Sequence, residues 1–278
     1  MRWTEVSVRV PPSQAAWAAD VLLRHCPRGL AEVSEGTPRR RILRAYLPVG
    51  RAGRTALARL RRELAPVTPT TRTIDDRIWL DAWKARARPI AVGRVLVVPS
   101  GMPLPATRGR VVLRVDPGMA FGSGEHPTTQ LCLAAVERLV RRGAVVIDLG
   151  TGSGVLAIAA ARLGASRVLA LDNDPVAVET ARANVRANRV GARVTVRQAD
   201  GLRGVRLRAD LIVANLTAQT LAAVAPDLRR CLAPGGRIVG SGFAPARARE
   251  VARGFEAAGL RLVGTEHLRG WSAVHAAA

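Results

Sequence analysis

The sequence predicts an α/β chain: a mostly parallel sheet with helices on both faces from Asp116 onward, preceded by a small α+β domain. Three observations predict it. Val145–Asp174, VVIDLGTGSGVLAIAAARLGASRVLALDND, reads as strand, glycine loop, helix, strand and acid, the opening half of a nucleotide-binding sheet. From there onward short apolar runs alternate with helical stretches. The first 66 residues instead run strand, helix, strand, strand, helix.

Residues 3–10 alternate, with Trp3, Glu5, Ser7 and Arg9 on one face and Thr4, Val6, Val8 and Val10 on the other. Pro11-Pro12-Ser13 opens a helix running to about Cys26. Strands follow at 30–35 and 41–47, joined by a turn through Gly36 to Pro38, then a helix over 55–64 that Pro66 stops. A last strand near 67–74 would complete a ferredoxin-like split β-α-β unit. It carries no catalytic constellation, so recognition of a substrate and a structural cap are both open roles. Residues 67–115 read as a connecting region with a helix over 75–84, a strand over 90–98, a Pro/Gly loop and a strand over 111–115. The expected division is therefore 1–66, 67–115 and 116–278.

Asp116–Thr129, DPGMAFGSGEHPTT, is too polar and too rich in glycine for a core. Placed ahead of a nucleotide-binding unit, it suggests a lid, and its threonines can cap the helix that runs to Val140. Phe121 is expected to lie against an adenine or a sulfonium-bearing tail. His126 is a cofactor contact, a loop donor or a base. After Asp174 come a helix over 175–188, a strand over 194–197, a strand over 210–214 closed by Asn215, a helix over 217–232 and a strand over 237–241. A helix over 246–258 precedes two closing strands that pair as an antiparallel hairpin.

The chemistry sits on the first unit. Gly150, Gly152 and Gly154 let backbone N–H groups approach a ligand, and the helix N-terminus behind them favours a negative group. Asp172 lies at the tip of the second strand, where a carboxylate can take both ribose hydroxyls. The spacing is not the G-x-G-x-x-G of dinucleotide folds: Val stands at 155, and Asp148 precedes the first glycine by two. D-x-G-x-G-x-G with an acid closing the next strand resembles S-adenosylmethionine-dependent methyltransferases. Asp200, just past a strand tip, suits an adenine contact or a turn.

The net charge of +22 invites a nucleic-acid reading. However, Lys84 is the only lysine among 43 basic residues, so the bias is toward arginine throughout. The charge is also spread along the chain, with no block of five like charges and only 3% aromatic residues for base stacking. Non-specific attraction to RNA or ribosomes is expected, and a dedicated RNA groove is not. Cys26, Cys132 and Cys231 have no C-x-x-C spacing, which suits a reducing cytoplasm and gives no metal site. No apolar run suggests a secretory leader or a membrane span.

Four segments together resemble one methyltransferase family: DPGMAFGSGEHPTT, VIDLGTGSGVLAIAAARLGA, LDNDP, and VANLTAQTL with APGG after it. This is the PrmA family, which modifies ribosomal protein eleven of the large subunit. The WLDAWK segment and Trp271 fit as well. The resemblance implies a ferredoxin-like recognition domain linked to a Rossmann-like class I methyltransferase domain. It implies S-adenosylmethionine as cofactor, with Thr129, Gly150, Asp172 and Asn215 as contacts and Phe121 and His126 in the lid. It also implies that the acceptors are amines of that ribosomal protein, lysine side chains and the α-amino group. The chain is expected to be cytoplasmic and monomeric, without a metal. The alternatives are methylation of another protein's lysine, and an RNA methyltransferase. Against the latter, Asn215-Leu-Thr-Ala218 lacks the N-P-P-[YF] aromatic that stacks on a flipped base.

Overall fold

The computed structural model describes residues 2–26, 30–33, 40–75, 87–116 and 120–278. Two compact units divide at Ala87 and Arg88.

The first unit holds β1 (Arg2–Val10), α1 (Pro12–His25), β2 (Leu30–Val33), β3 (Arg41–Pro48), α2 (Arg51–Glu63) and β4 (Thr70–Asp75). Its antiparallel sheet has the order β2-β3-β1-β4. The alternation of β1 buries Val6, Val8 and Val10. Trp3 and Glu5 are buried too, and Glu5 survives there because Arg72 Nε donates to its carboxylate at 2.7 Å from the neighbouring strand. Helix α2 starts at Arg51, four residues before the expected point. Its first turn packs so tightly on β3 that a Cβ on Gly53 would lie 1.9 Å from the Pro48 carbonyl oxygen. The turn through Gly36–Pro38, the helix expected over 75–84 (beyond Asp75, which ends β4) and WLDAWK lie outside the described residues.

The expected connecting region 67–115 divides between the units. β4 pairs with β1 in the first sheet, whereas β5 (Ile90–Val92), β6 (Val95–Pro99) and β7 (Val111–Val115) form a three-stranded sheet in the second unit. The single strand expected over 90–98 is a hairpin. Gly93 takes the left-handed backbone (φ +52°), and the adjacent Arg94 N–H donates to the Glu137 carboxylate at 3.0 Å.

The second unit is built on seven strands in the order β10-β9-β8-β11-β12-β14-β13. These are β8 (Val145–Leu149), β9 (Arg167–Asp172), β10 (Val194–Gln198), β11 (Ala209–Asn215), β12 (Leu232–Phe243), β13 (Arg261–Leu268) and β14 (Trp271–Ala277). β8 to β12 are parallel, and β14 runs antiparallel to both β12 and β13. Chain order reverses between β8 and β11, so the crevice outside their carboxyl ends is where a ligand binds in such sheets. The helices are α3 (Pro127–Leu139), α4 (Val155–Arg162), α5 (Pro175–Ala187), α6 (Ala218–Arg230) and α7 (Ala248–Ala257). Helix α4 is buried over Val155–Ala161, which its run of alanines allows because small side chains let it lie close against its neighbours. Helix α6 ends at Arg230 rather than at Leu232, because β12 starts there and carries Pro234-Gly235-Gly236 through a register shift.

Candidate active site

The loop Gly150–Gly154 joins β8 to α4 at the sheet's carboxyl edge. Its geometry is enforced from below by Asp148, which is fully buried. Asp148 Oδ2 accepts from the Thr151 hydroxyl at 2.6 Å and from the Ala157 N–H at 3.1 Å, tying the loop to the first turn of α4. Oδ1 has no hydrogen-bond partner among the described residues. Burial pushes the carboxyl up to about 7, with the nearby Asp172 charge adding in the same direction.

Asp172 ends β9 beside this loop. Its Oδ2 accepts from the Gly152 N–H at 2.9 Å and its Oδ1 from the Asp174 N–H at 3.0 Å. A carboxylate has about four lone-pair sites, so these two bonds aim it while leaving acceptor capacity for a diol. Burial raises its pKa, and the two backbone N–H groups oppose that. Asp200 lies exposed two residues beyond Gln198, which is in register with Asp172.

The lid segment is fastened to the glycine loop. Ser153 N–H donates to the Phe121 carbonyl at 2.8 Å and its hydroxyl to the Gly122 carbonyl at 2.7 Å. Gly152 is required here: its φ is +54°, and a Cβ would stand 2.4 Å from the Phe121 oxygen. His126, rather than a threonine, caps α3. Its Nδ1 accepts from the Thr128 N–H and lies 2.7 Å from the Thr128 hydroxyl. Thr128 and Thr129 are buried inside the first turn. The His126 ring stands edge-on to Phe121 (centroids 5.3 Å apart) and to Trp271 (4.5 Å). Its Nε2 is buried and unpartnered among the described residues, and burial pushes its pKa down to about 4. The imidazole is therefore neutral near pH 7 and a weak proton acceptor. Asn215, closing β11, donates from Nδ2 to the Thr129 hydroxyl at 3.4 Å.

The structure thus gathers Gly150, Gly152, Asp172, Asn215, Thr129, Phe121 and His126 around one edge of the sheet, with Asp200 at its rim. The family model described as "Ribosomal protein L11 methyltransferase (PrmA)" matches residues 32–278. The chain belongs to the PrmA family. These enzymes are S-adenosylmethionine-dependent methyltransferases. The PrmA relative of Pelotomaculum thermopropionicum, named ribosomal protein L11 methyltransferase, is 40% identical over 99% of both chains. That of Chloroflexus aurantiacus, with the same name, is 38% identical over 98% of this chain and 97% of its own. A crystal structure of ribosomal protein L11 methylase from Lactobacillus delbrueckii subsp. bulgaricus is 29% identical, with a TM-score of 0.62 over 68% of this chain and 98% of that one.

Sequence reasoning missed two parts of this PrmA site. Asn184, buried in α5, donates to the Asp116 carbonyl (2.7 Å) and the Ser153 carbonyl (2.8 Å) and accepts from the Asp116 N–H (3.0 Å). One turn on, Asn188 brackets the backbone of Arg114 in the same manner. These two side chains fix where the lid begins, and their signal was a polar pair at i, i+4 on the apolar face of a helix. The other is Trp271, noted only as part of the resemblance, which supplies the far wall for His126.

Proposed function

We propose that this enzyme methylates amines of ribosomal protein L11, on lysine side chains and the α-amino group. When bound, S-adenosylmethionine supplies a methyl group on a positively charged sulfur, an excellent leaving group. The residues present fit it. Asp172 is pre-aimed with acceptor capacity to spare for the ribose, and Gly150 and Gly152 bring main chain close. Thr129 and Asn215 line the same edge, Phe121 and His126 belong to the covering segment, and Asp200 lies two residues past Gln198, the partner of Asp172 across the strands.

The protein's own task is alignment and desolvation. A lysine with a pKa of about 10.4 in water is protonated at pH 7, and an enclosed site lowers that value. His126 stays neutral, so it adds no positive charge to repel the incoming group. The observation that carries the reading is Asn215. Its N–H is engaged by Thr129, while its Oδ1 accepts no hydrogen bond among the described residues, and Leu216-Thr217-Ala218 follow without an aromatic. That oxygen suits an N–H donor, and nothing there stacks on a base. The assay is incubation with labelled S-adenosylmethionine and either L11 or ribosomal RNA. Label in L11, stable to base and mapped to amines, supports the reading; label in RNA alone defeats it.

We further propose that the first unit recognises the substrate. A chain starting at Arg88 should bind the cofactor but methylate L11 poorly, and unimpaired L11 methylation by that chain would remove this role.

A further inference from the structure

The catalytic sheet has a second end. The loops entering β8, β9, β10 and β11 meet at the amino ends of those strands, opposite the cofactor crevice. They are joined by hydrogen bonds: Gly143 N–H to the Gly164 carbonyl at 2.9 Å, Ser166 Oγ to the Gly143 carbonyl at 2.6 Å, and Val168 N–H to the Arg193 carbonyl at 2.7 Å. The Val145 N–H donates to Asp210 Oδ2 at 2.8 Å at the start of β11, and Arg230 holds the preceding loop by its Leu202 and Val205 carbonyls. On this continuous floor stand Arg141, Arg142, Arg167, Arg193, Arg206 and Arg208, all exposed. The acids beside them are Asp210, the second residue of β11, and Asp227, which is paired with Arg230 near the end of α6. The crevice end of the same strands is richer in acid, with Asp172, Asp174 and Asp200 beside Arg197. A compositional bias toward arginine does not explain this polarity, because both ends belong to one domain.

Helix dipoles explain only part of it. The helices end at the floor, and Arg162, Arg186, Arg229 and Arg230 in their last turns complement the partial negative charge there. Arg193 also donates to the Ala161 carbonyl of α4 at 3.2 Å. Arg141, Arg142, Arg167, Arg206 and Arg208 lie outside any helix, and their guanidinium groups have no hydrogen-bond partner among the described residues.

We propose that this floor is a docking surface for the phosphate backbone of folded RNA. Arginine forks suit phosphate oxygens. The large hydrophobic side chains exposed among the described residues are Trp17, Val49, Leu104 and Val263, none of which belongs to the loops that make the floor, so these loops present no such group to insert into a lipid layer or to stack on unpaired bases. Such a surface reads charge density rather than sequence. It would hold the enzyme on ribosomal RNA while the crevice at the opposite strand ends stays open.

The test compares two full-length triple variants that remove equal charge. R142Q/R167Q/R208Q alters the floor; R249Q/R253Q/R269Q alters exposed arginines on α7 and the β13–β14 turn. Binding of a labelled RNA hairpin is measured by fluorescence anisotropy across a salt series, with thermal unfolding and cofactor binding as checks on folding. The floor variant should bind about tenfold more weakly at ~0.1 M salt, with the salt slope reduced by about two, while the control keeps more of both. Equal losses in the two variants would assign the binding to the overall charge and overturn the proposal. Tighter binding to vesicles of phosphatidylglycerol and phosphatidylcholine than to the hairpin, lost in the floor variant, would transfer the surface to a membrane. Should the floor variant fail to fold, R141Q/R206Q, which leaves the strand residues intact, is measured in its place with the same outcomes.

Discussion

The two ends of the seven-stranded sheet are made from the same strands and do opposite work. At the carboxyl ends, polar groups are buried or half-buried and held by specific hydrogen bonds: Asp148 to the glycine loop, Asp172 to two backbone N–H groups, Asn184 to the lid's first residue and Asn215 to Thr129. At the amino ends, short turns carry exposed arginines that touch little. The difference teaches where precision resides. One end is preorganised, so each atom removed there should have a large and specific effect. The other acts as a field, so single changes should be small and roughly additive.

The largest effect is expected at Asp172. Asp172→Ala should weaken S-adenosylmethionine binding about 100-fold by calorimetry, because it removes the proposed ribose acceptor and frees the Gly152 N–H. Asp172→Asn, which keeps one acceptor, should lose about tenfold. Wild-type affinity in the alanine variant would break the comparison at once. Asn215→Ala comes next: methyl transfer should fall about 30-fold with cofactor affinity changed less than the rate. A loss confined to affinity would instead make Asn215 a cofactor contact alone.

Asn184→Ala tests the support beneath the lid. It strands both backbone groups of Asp116 and the Ser153 carbonyl, so unfolding should become easier by about 2 kcal/mol. Arg167→Gln on the floor should stay within about 0.5 kcal/mol of wild type. If the two cost the same, the two ends do not differ as described.

The pH dependence sharpens the same contrast. A carboxyl whose folded pKa lies near 7 rather than its ordinary value of 3.8 holds its proton more tightly in the folded chain. Its stabilising contribution is therefore complete below about 4 and is lost as pH rises to about 7. His126 works in the reverse sense: with a folded pKa of about 4, below its usual 6.5, it favours folding above 6.5, and that contribution is lost as pH falls toward 4. Asp148→Asn should remove the component that falls as pH rises through that window and leave the histidine's rising one in place, so thermal stability should rise with pH more steeply than in the wild type. An unchanged profile would mean that Asp148 titrates normally.

Much of the site was legible because backbone demands write themselves into residue type. Three glycines at 150, 152 and 154, an acid at 172 and an asparagine closing β11 were all readable from spacing, and the structure puts them on one edge. The order of elements was readable for the same reason. Boundaries that tertiary packing sets were not: α2 begins where Gly53 can lie on the Pro48 carbonyl, and β5 and β6 separate where Gly93 turns under Glu137. The cap on α3 went to His126 because its ring reaches the Thr128 N–H from outside the helix, leaving both threonines to the interior. Charge was legible in amount but not in placement. Counted along the chain it is even, and only the folding of four separate segments onto one face gathers Arg141 and Arg142, Arg167, Arg193 and Arg208.

The function of this enzyme is defined by which molecule receives the methyl group. The most direct measurement is mass spectrometry of ribosomal protein L11 and ribosomal RNA from cells with and without this gene, and from cells carrying Asp172→Ala. L11 from cells lacking the gene should be lighter by whole methyl groups, the missing groups should map to lysine side chains and the α-amino group, and the wild-type gene but not the Asp172 variant should restore them. L11 of unchanged mass, with a methyl lost from ribosomal RNA instead, would contradict this assignment.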